Sequence, residues 1–292
     1  RRTPLSTLVP EAPPQRFGRF FLPGPTEVRP RVLEAQNRAM IGHRGPAIVE
    51  LMEELQAGLQ EVFTTERPVL VSTSSATGLM EAAVRNAASG RVLSLVNGAF
   101  SGRFAKIARL CGLEVDEVAV EWGGHHTPDQ LADALESGTY DAVTVVHSET
   151  STGALQDLAA LSAVVDDHPE TLLLVDSVTG AGGAEMRADA WGLDFVLTGS
   201  QKALAAPPGL AFGVASREML ARAATIEGRG MYFDLVAFAD KMEKLQTPNT
   251  PAVSLMYALA EQLRYIRDET VEARWARHEA MAQRTYAGDT AS

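Results

Sequence analysis

Short apolar segments alternate with segments of helical pattern along this chain, and that alternation limits the possible folds more than any other feature. Seven apolar segments have the length and composition of strands: Pro68–Val71, Arg91–Val96, Glu114–Val120, Ala142–Val146, Thr171–Val175, Phe195–Leu197 and Leu210–Ala215. Four segments between them have helical patterns long enough to cross between parallel strands: Gly78–Ala88, Gly102–Cys111, Pro128–Glu136 and Leu155–Asp167. Polarity does not alternate within the apolar segments, as is typical of strands that helices cover on both faces. The pattern therefore predicts an α/β fold with a mostly parallel, doubly wound sheet and helices on both faces.

Composition and charge exclude several classes of protein. The chain has 292 residues, of which 46% are hydrophobic and 22% are charged, and these values are typical of globular rather than disordered proteins. The net charge of −11 argues against nonspecific binding to nucleic acid or anionic membranes, which needs clustered lysine and arginine. No apolar run approaches the ~20 residues that span a bilayer. Charge and hydropathy therefore lead us to expect no nucleic-acid or membrane partner. Because the single cysteine, Cys111, cannot form an internal disulfide, we expect a cytoplasmic protein.

Three regions of the chain differ in pattern. Residues 1–18 are rich in proline and lack an apolar central stretch, so we expect an extended N-terminal arm and no signal peptide. Residues 19–270 hold the alternating segments and form the predicted large α/β domain. From Val253 to Arg284 the pattern indicates one or two long helices. Because no closing strand follows these helices, we expect residues 271–292 to be the start of an incomplete C-terminal small domain, with most of that domain missing.

In open α/β sheets ligands bind at the carboxyl ends of the strands, so residues directly after each predicted strand are candidates for a site. The segment Ser72–Gly78 is rich in small and hydroxyl residues and precedes a helix, where free backbone amides bind phosphate. The same segment is also typical of a helix cap without a ligand. Asp176 directly follows the strand Thr171–Val175, and a carboxylate buried there needs a cationic ring nitrogen, a metal ion or a capping role. No other metal ligands lie nearby in the sequence, which favours the first or the third option.

Two further strand ends carry reactive or hydrogen-bonding side chains. Lys202 follows the strand Phe195–Leu197 among small and apolar neighbours, which disfavour the ammonium form and leave an amine that attacks aldehydes. A lysine at an arbitrary position is more often a solvated surface residue. The segment His147–Gly153 follows the strand Ala142–Val146, and its hydroxyls either bond a phenolic oxygen of a ligand or cap the next helix. A phosphate cradle, a carboxylate, an amine and hydroxyl donors are together what pyridoxal phosphate requires of a protein.

Several short strings extend this list of candidate groups. They are Leu22–Thr26, Gly42–Pro46, Asn97–Phe100, Glu149–Gly153, Asp176–Val178, Gly199–Leu204 and Thr247–Pro251. As a set they resemble class V (fold-type I) aminotransferases of the alanine-glyoxylate and serine-glyoxylate branch, over a region from about Phe20 to Arg284. The resemblance implies the fold-type I architecture, with residues 19–270 as the large domain that binds pyridoxal phosphate.

The resemblance also implies roles around the cofactor ring. Lys202 is similar to the lysine that forms the aldimine, and Asp176 is similar to the partner of the pyridine nitrogen, so both are expected to be catalytic. Phe100 occupies the position of the aromatic residue that stacks on the ring, and Val178 is expected to pack against its opposite face. Ser151 is expected to reach the ring hydroxyl.

A second group of residues is implied to hold the cofactor phosphate. Ser75, Ala76 and Thr77 are expected to bind it at the start of a helix, with Gln201 adding an amide donor. Some relatives have Gly and His where this chain has Ala76 and Thr77, a change that keeps the backbone donors but removes an imidazole. Thr250 resembles a residue that reaches the phosphate of the neighbouring subunit, so we expect a homodimer with shared active sites.

The implied function is transfer of an amino group from a small L-amino acid, alanine or serine, to a 2-oxo acid such as glyoxylate. In the family the arginine that clamps the substrate carboxylate belongs to the C-terminal domain, past the end of this sequence, and Arg44 is the candidate substitute. A lyase or desulfurase of the same fold stays open, although Cys111 lies in a helical segment that suits a mobile nucleophile poorly. A truncated form that binds the cofactor without turnover also stays open.

Other classes of enzyme lack their motifs in this sequence. The string Gly180–Glu185 follows a strand, but it ends in glutamate where a dinucleotide-binding turn needs glycine or alanine. Neither a phosphate-binding loop of the NTPases nor a Gly-x-Ser-x-Gly elbow occurs. His125 and His126 are adjacent, so regular structure points them in different directions, and we interpret them as loop residues. We therefore predict no metal site.

Overall fold

One seven-stranded sheet is the central element of the computed structural model, which describes residues 22–289. Its strands are β1 (Val69–Ser72), β2 (Arg91–Val96), β3 (Glu114–Ala119), β4 (Ala142–Val146), β5 (Leu172–Asp176), β6 (Phe195–Gly199) and β7 (Ala211–Ala215). Their order across the sheet is β1-β7-β6-β5-β4-β2-β3. Strand β7 is antiparallel to β1 and β6, and the other neighbouring pairs are parallel. The mostly parallel sheet is therefore confirmed, and each strand overlaps an apolar segment of the sequence analysis.

Helices pack around this sheet. They are α1 (Pro30–Glu34), α2 (Pro46–Phe63), α3 (Ala76–Ala87), α4 (Ala99–Leu110), α5 (Pro128–Glu136), α6 (Leu158–Asp166), α7 (Arg217–Thr225), α8 (Leu235–Met242), α9 (Val253–Glu269) and α10 (Val271–Asp289), with a 3-10 helix at Ala35–Asn37. Helices α3 to α6 correspond to the four predicted crossover helices, and α9 and α10 to the predicted helical tail. Within residues 22–289, no helix is both long and apolar enough to cross a membrane.

The helices α2, α7 and α8 lie outside the predicted segments. Helix α2 does not connect two strands of the sheet, but its buried residues Ile48, Leu51, Met52 and Leu55 recur at helical spacing. Helices α7 and α8 begin at capping residues, because Ser216 and Asp234 accept hydrogen bonds from amides of the first turn. These signals were present in the sequence.

Local capping determines where the crossover helices begin. Helix α5 has its predicted bounds because the side chains of Thr127 and Gln130 bond each other's backbone amides, at 3.3 and 3.0 Å. The prediction that α6 begins at Leu155 is wrong. Leu155 forms an isolated bridge with Ser148, and Asp157 then caps the helix by accepting from the Ala160 amide at 3.0 Å.

The core extends into the C-terminal helices. Helix α9 buries Leu259 and Leu263 and lies along α2. Val271 and Trp275, in the first turns of α10, belong to the same buried cluster as the sheet. The domain boundary after residue 270 stays a prediction, and the predicted arm of residues 1–18 lies outside the described residues.

We expect Leu263→Ala to lower the free energy of unfolding by about 2–5 kcal/mol, because it leaves a cavity between α9 and α2. The two helices are closely packed there: a Cβ on Gly58 would lie 2.8 Å from the Leu263 Cβ. The matched control is Arg264→Ala, which removes an exposed ion pair with Glu54 and is expected to cost at most about 1 kcal/mol. Chemical denaturation measures both variants, and equal losses would contradict this packing.

Candidate active site

Three neighbouring strands end side by side at the candidate site. Strands β4, β5 and β6 are adjacent in the sheet, with Val146 aligned with Asp176 and Asp176 aligned with Leu197. Because parallel strands present their carboxyl ends at one edge, the loops His147–Gly153 and Gln201–Leu204 share that edge with the Asp176 carboxylate. The structure thus brings together the strand ends that the sequence singled out separately.

Asp176 is the last residue of β5 and is only 3% exposed. Its Oδ1 accepts a hydrogen bond from the Val178 amide at 2.8 Å. Burial raises the pKa of Asp176 to about 6; the Val178 hydrogen bond opposes this rise, Glu149 adds to it, and Lys202 opposes it. A cation placed against this carboxyl group would favour its ionised form.

The Lys202 side chain packs closely against the backbone of Pro23 and Gly24. It is 9% exposed, and its Nζ donates a hydrogen bond to the Pro23 carbonyl oxygen at 3.0 Å. A Cβ on Gly24, where φ is +142°, would lie 2.7 Å from Nζ, so this approach requires glycine. Thr26 donates through Oγ1 to the Lys202 carbonyl oxygen at 3.1 Å. Burial lowers the pKa of Lys202, with Asp176 opposing, and this favours the uncharged amine.

The N-terminus of α3 forms the second half of the site. Ser75 is the N-cap residue, yet its side chain does not cap the helix, and within the described residues the amides of Ala76 and Thr77 have no acceptor. Gln201 lies beside this helix start, since a Cβ on Gly199 would be 2.6 Å from the Gln201 Oε1 and 3.4 Å from the Ala76 Cβ. Such free amides bind phosphate. Four residues predicted for the phosphate therefore lie together.

Phe100 presents its ring near the lysine amine. It lies in the first turn of α4, and its ring centroid is 5.8 Å from the Lys202 Nζ. The exposed guanidinium of Arg103 lies 4.7 Å from the same centroid. Arg103 was not a predicted site residue, and its signal in the sequence is the i,i+3 spacing that places it beside Phe100 on the helix. Val178 is half-buried close to Asp176.

Glu149 anchors the start of α4, a role that the sequence analysis did not assign. Its Oε2 accepts from the amides of Phe100 at 3.0 Å and Ser101 at 2.9 Å, and its Oε1 accepts from the Ser151 hydroxyl at 2.7 Å. Burial alone would raise the pKa of Glu149, but the hydrogen bonds from Ser101 and Ser151 together lower it. The Ser151 Oγ also accepts from the Ala99 amide at 2.9 Å. Ser151 therefore lies next to Phe100, with its hydroxyl proton bonded to a carboxylate.

Thr250 lies apart from these groups, exposed in the loop between α8 and α9. The guanidinium of Arg44 holds this loop by donating to the carbonyl oxygens of Thr247 at 2.7 Å and Pro248 at 3.0 Å. These two bonds make Arg44 an anchor of this loop.

Two buried histidines make contacts within the fold. The Nδ1 of His147 lies 2.9 Å from the Ser177 Oγ, and burial lowers the pKa of His147 to about 4, which keeps the ring neutral. His126 lies between the Val118 carbonyl oxygen and the Gln156 side chain, each at 2.9 Å. Within residues 22–289, no cluster of three His, Cys, Asp or Glu side chains could hold a metal ion.

These residues fit one cofactor. The Lys202 amine suits an aldehyde, the raised pKa of Asp176 suits a cationic ring nitrogen as its neighbour, and the free amides of α3 suit a phosphate. The fold and site thus define the class of enzymes that use pyridoxal phosphate. Within that class the chain belongs to the class V aminotransferases, whose family model matches residues 24–288. It is a pyridoxal-phosphate-dependent aminotransferase.

Curated relatives carry different names. An uncharacterized aminotransferase of Methanocaldococcus jannaschii is 40% identical, over 92% of this chain and 71% of the relative. A protein of Anabaena cylindrica named soluble hydrogenase 42 kDa subunit is 37% identical, over 92% of this chain and 71% of the relative. A serine–glyoxylate aminotransferase of Arabidopsis thaliana is 35% identical, over 91% of this chain and 68% of the relative.

A solved structure has the same fold. The alanine–glyoxylate aminotransferase of Nostoc sp. superposes with a TM-score of 0.85 at 33% identity. The superposition covers 89% of this chain and 71% of that one. The predicted fold-type I architecture and the resemblance to the glyoxylate aminotransferases are therefore confirmed.

We expect Asp176→Asn to remove a pH dependence of stability in the cofactor-free protein. The carboxyl pKa rises from 3.8 to about 6 on folding, so its contribution is fully present below about pH 4 and is lost as the pH rises through 6. The unfolding free energy of the parent minus that of the variant should fall by roughly 2 kcal/mol between pH 4 and pH 7. Chemical denaturation across this range measures the difference, and one that rises with pH would contradict a buried uncharged carboxyl group.

Proposed function

We propose that this chain transfers the amino group of a small L-amino acid, alanine or serine, to a 2-oxo acid such as glyoxylate. The observation that carries the proposal is the buried Lys202 amine, with its lowered pKa, beside Asp176 and the ring of Phe100. The choice of substrates is supported by the names of the Arabidopsis and Nostoc relatives.

Lys202 has two tasks in this proposal. Its Nζ would hold the cofactor covalently at the aldehyde carbon, with water as the leaving group, and this requires the uncharged amine that burial favours. Pyridoxal phosphate, when bound, supplies an electron sink for the charge that forms as the substrate Cα loses its proton. When it is not bonded to the cofactor, the uncharged Lys202 Nζ would serve as the base that accepts the substrate Cα proton. The hydrogen bond to the Pro23 carbonyl oxygen fixes the position of Nζ in the free chain.

Asp176 holds a proton on the ring nitrogen. In the free chain its pKa is about 6, because burial disfavours the charge. A protonated ring nitrogen beside this carboxyl group would supply a positive counter-charge, and each of the two groups would then keep the other ionised. The Val178 amide, which donates to Oδ1, holds the carboxylate in orientation for this contact.

The remaining predicted residues orient the cofactor. The amides of Ala76 and Thr77, with the Ser75 hydroxyl and the Gln201 side-chain amide, bind the phosphate at the start of α3. Phe100 and Val178 pack on the two faces of the ring. Ser151 bonds the ring hydroxyl. Because the Ser151 hydroxyl already donates its proton to Glu149, its Oγ would accept the hydrogen bond from the ring hydroxyl.

We also propose that the chain works as a homodimer in the cytoplasm. Exposure of Thr250, on a loop held by Arg44, supports the contribution of its hydroxyl to the phosphate site of a second copy. A single cysteine, Cys111, supports a reducing compartment. Cys111 ends α4, roughly 17 Å along the helix from Phe100, which argues against a desulfurase.

We expect Lys202→Ala to abolish covalent attachment of the cofactor and to lower kcat by at least about 10³-fold, because both the attaching and the proton-transferring amine are lost. Borohydride reduction of the loaded parent followed by peptide mass mapping measures attachment, with Lys106→Ala as a control at an exposed lysine. A label on any residue other than Lys202 would refute the assignment.

We expect L-alanine or L-serine to shift the visible absorption band of the loaded protein, and glyoxylate to restore it. Each amino acid then yields its 2-oxo acid in stoichiometric amount, measured by chromatography. A lyase would instead release ammonia or a cleaved side chain, and a form without turnover would leave the band unchanged. Either result would reject amino transfer by this chain while leaving its family membership intact.

A further inference from the structure

Arg274, in the first turns of α10, is 5% exposed although its side chain is charged. Its Nη2 donates to the carbonyl oxygen of Ala203 at 2.7 Å, and its Nε donates to that of Gly182 at 3.2 Å. Ala203 directly follows Lys202, and Gly182 lies in the turn that follows Asp176. One guanidinium thus joins the two segments that carry the amine and the carboxylate.

Acidic and packing contacts fix this guanidinium in place. Its Nη1 pairs with Glu269 at 2.9 Å, and the same carboxylate pairs with Arg277 at 2.5 Å. Hydrogen bonds from Arg277 and Arg274 lower the pKa of Glu269 to about 2, so the counter-charge is permanent. The two bridged segments are in contact, since a Cβ on Gly183 would lie 3.1 Å from the Ala203 Cβ. The donors of a guanidinium form a rigid fork, so the two carbonyl oxygens are held at a fixed separation.

We propose that Arg274 is a positioning residue, which sets the location of the Lys202 Nζ relative to the Asp176 carboxylate by bonding the carbonyl oxygens of Ala203 and Gly182. The inference rests on the proposed role of Lys202. On its other side the lysine is held by Thr26, through its carbonyl oxygen, and by Pro23, through Nζ. Without Arg274 the carbonyl oxygens of Ala203 and Gly182 lose their shared donor, while bonds inside the loop, such as that from the Ala205 amide to the Lys202 carbonyl oxygen, stay in place. A displacement of about 1 Å at a reacting group costs on the order of 10²-fold in rate.

The test compares Arg274→Gln and Arg274→Lys with Arg277→Gln, which removes an exposed ion pair to the same Glu269. Steady-state kinetics give kcat and KM of the loaded enzyme. In the cofactor-free protein, acetylation of Lys202 by acetic anhydride, located by peptide mass mapping, gives the pH midpoint of this amine, and thermal unfolding gives the stability of each variant. We expect both Arg274 variants to lower kcat by about 100-fold with little change in KM. The acetylation midpoint should rise towards the ordinary lysine value, because Nζ leaves its buried position. Arg277→Gln should change neither kcat nor the acetylation midpoint.

Two results would overturn the proposal. If Arg274→Lys keeps the parental kcat and midpoint, the charge suffices and the fork has no positioning role; this variant also decides the matter should Arg274→Gln fail to fold. If both variants lower the thermal unfolding temperature but leave kcat and the acetylation midpoint unchanged, Arg274 contributes to stability alone. If the proposed function is wrong, borohydride reduction will label a residue other than Lys202. In that case the acetylation midpoint of Lys202 still tests whether Arg274 positions the Lys202 Nζ.

Discussion

Two side chains of opposite charge are buried at neighbouring strand ends, and the rest of the site depends on that constraint. Asp176 and Lys202 influence each other's pKa, yet within the described residues they form no direct ion pair. Burial therefore moves both groups towards neutrality, raising the pKa of the acid and lowering that of the amine. A ligand with an aldehyde and a cationic ring nitrogen satisfies both at once, which is the physical sense in which this fold suits its cofactor.

Two helices start at the same edge of the sheet, and the chain treats their ends differently. At α4 the buried carboxylate of Glu149 accepts from the first amides, so that the helix start is satisfied internally and Phe100 is held in place. At α3 no side chain does this, and the amides of Ala76 and Thr77 stay available. The first amides of α4 therefore bond a carboxylate of the protein itself, whereas the first amides of α3 are free to bond a phosphate.

Much of the fold could be predicted because its elements are short and locally distinct. Most of the strands are apolar runs between polar or glycine-containing turns, and each crossover helix has a visible period. The edge strand β3 differs, because it carries Glu114, Asp116 and Glu117 and none of its residues is buried. Prediction failed where a segment's state depended on residues outside it, since Leu155 pairs with Ser148 instead of starting α6. The sequence analysis did not assign α2, although its apolar residues recur at helical spacing, because this helix precedes the first strand instead of connecting two strands. For the site, strand-end position pointed to Asp176 and Lys202, while the phosphate and ring contacts came from resemblance to a family.

The sequence by itself determined which residues follow the strands, which elements alternate, and which chemical groups are available for a cofactor. Only the tertiary structure decided that the Lys202 amine meets Pro23, that Glu149 reaches the start of α4, and that Arg274 spans two loops. The physical reason is range. Strand and helix patterns are set by neighbours within a few residues, whereas these contacts join positions far apart in the chain and exist only once the sheet has brought their loops to one edge.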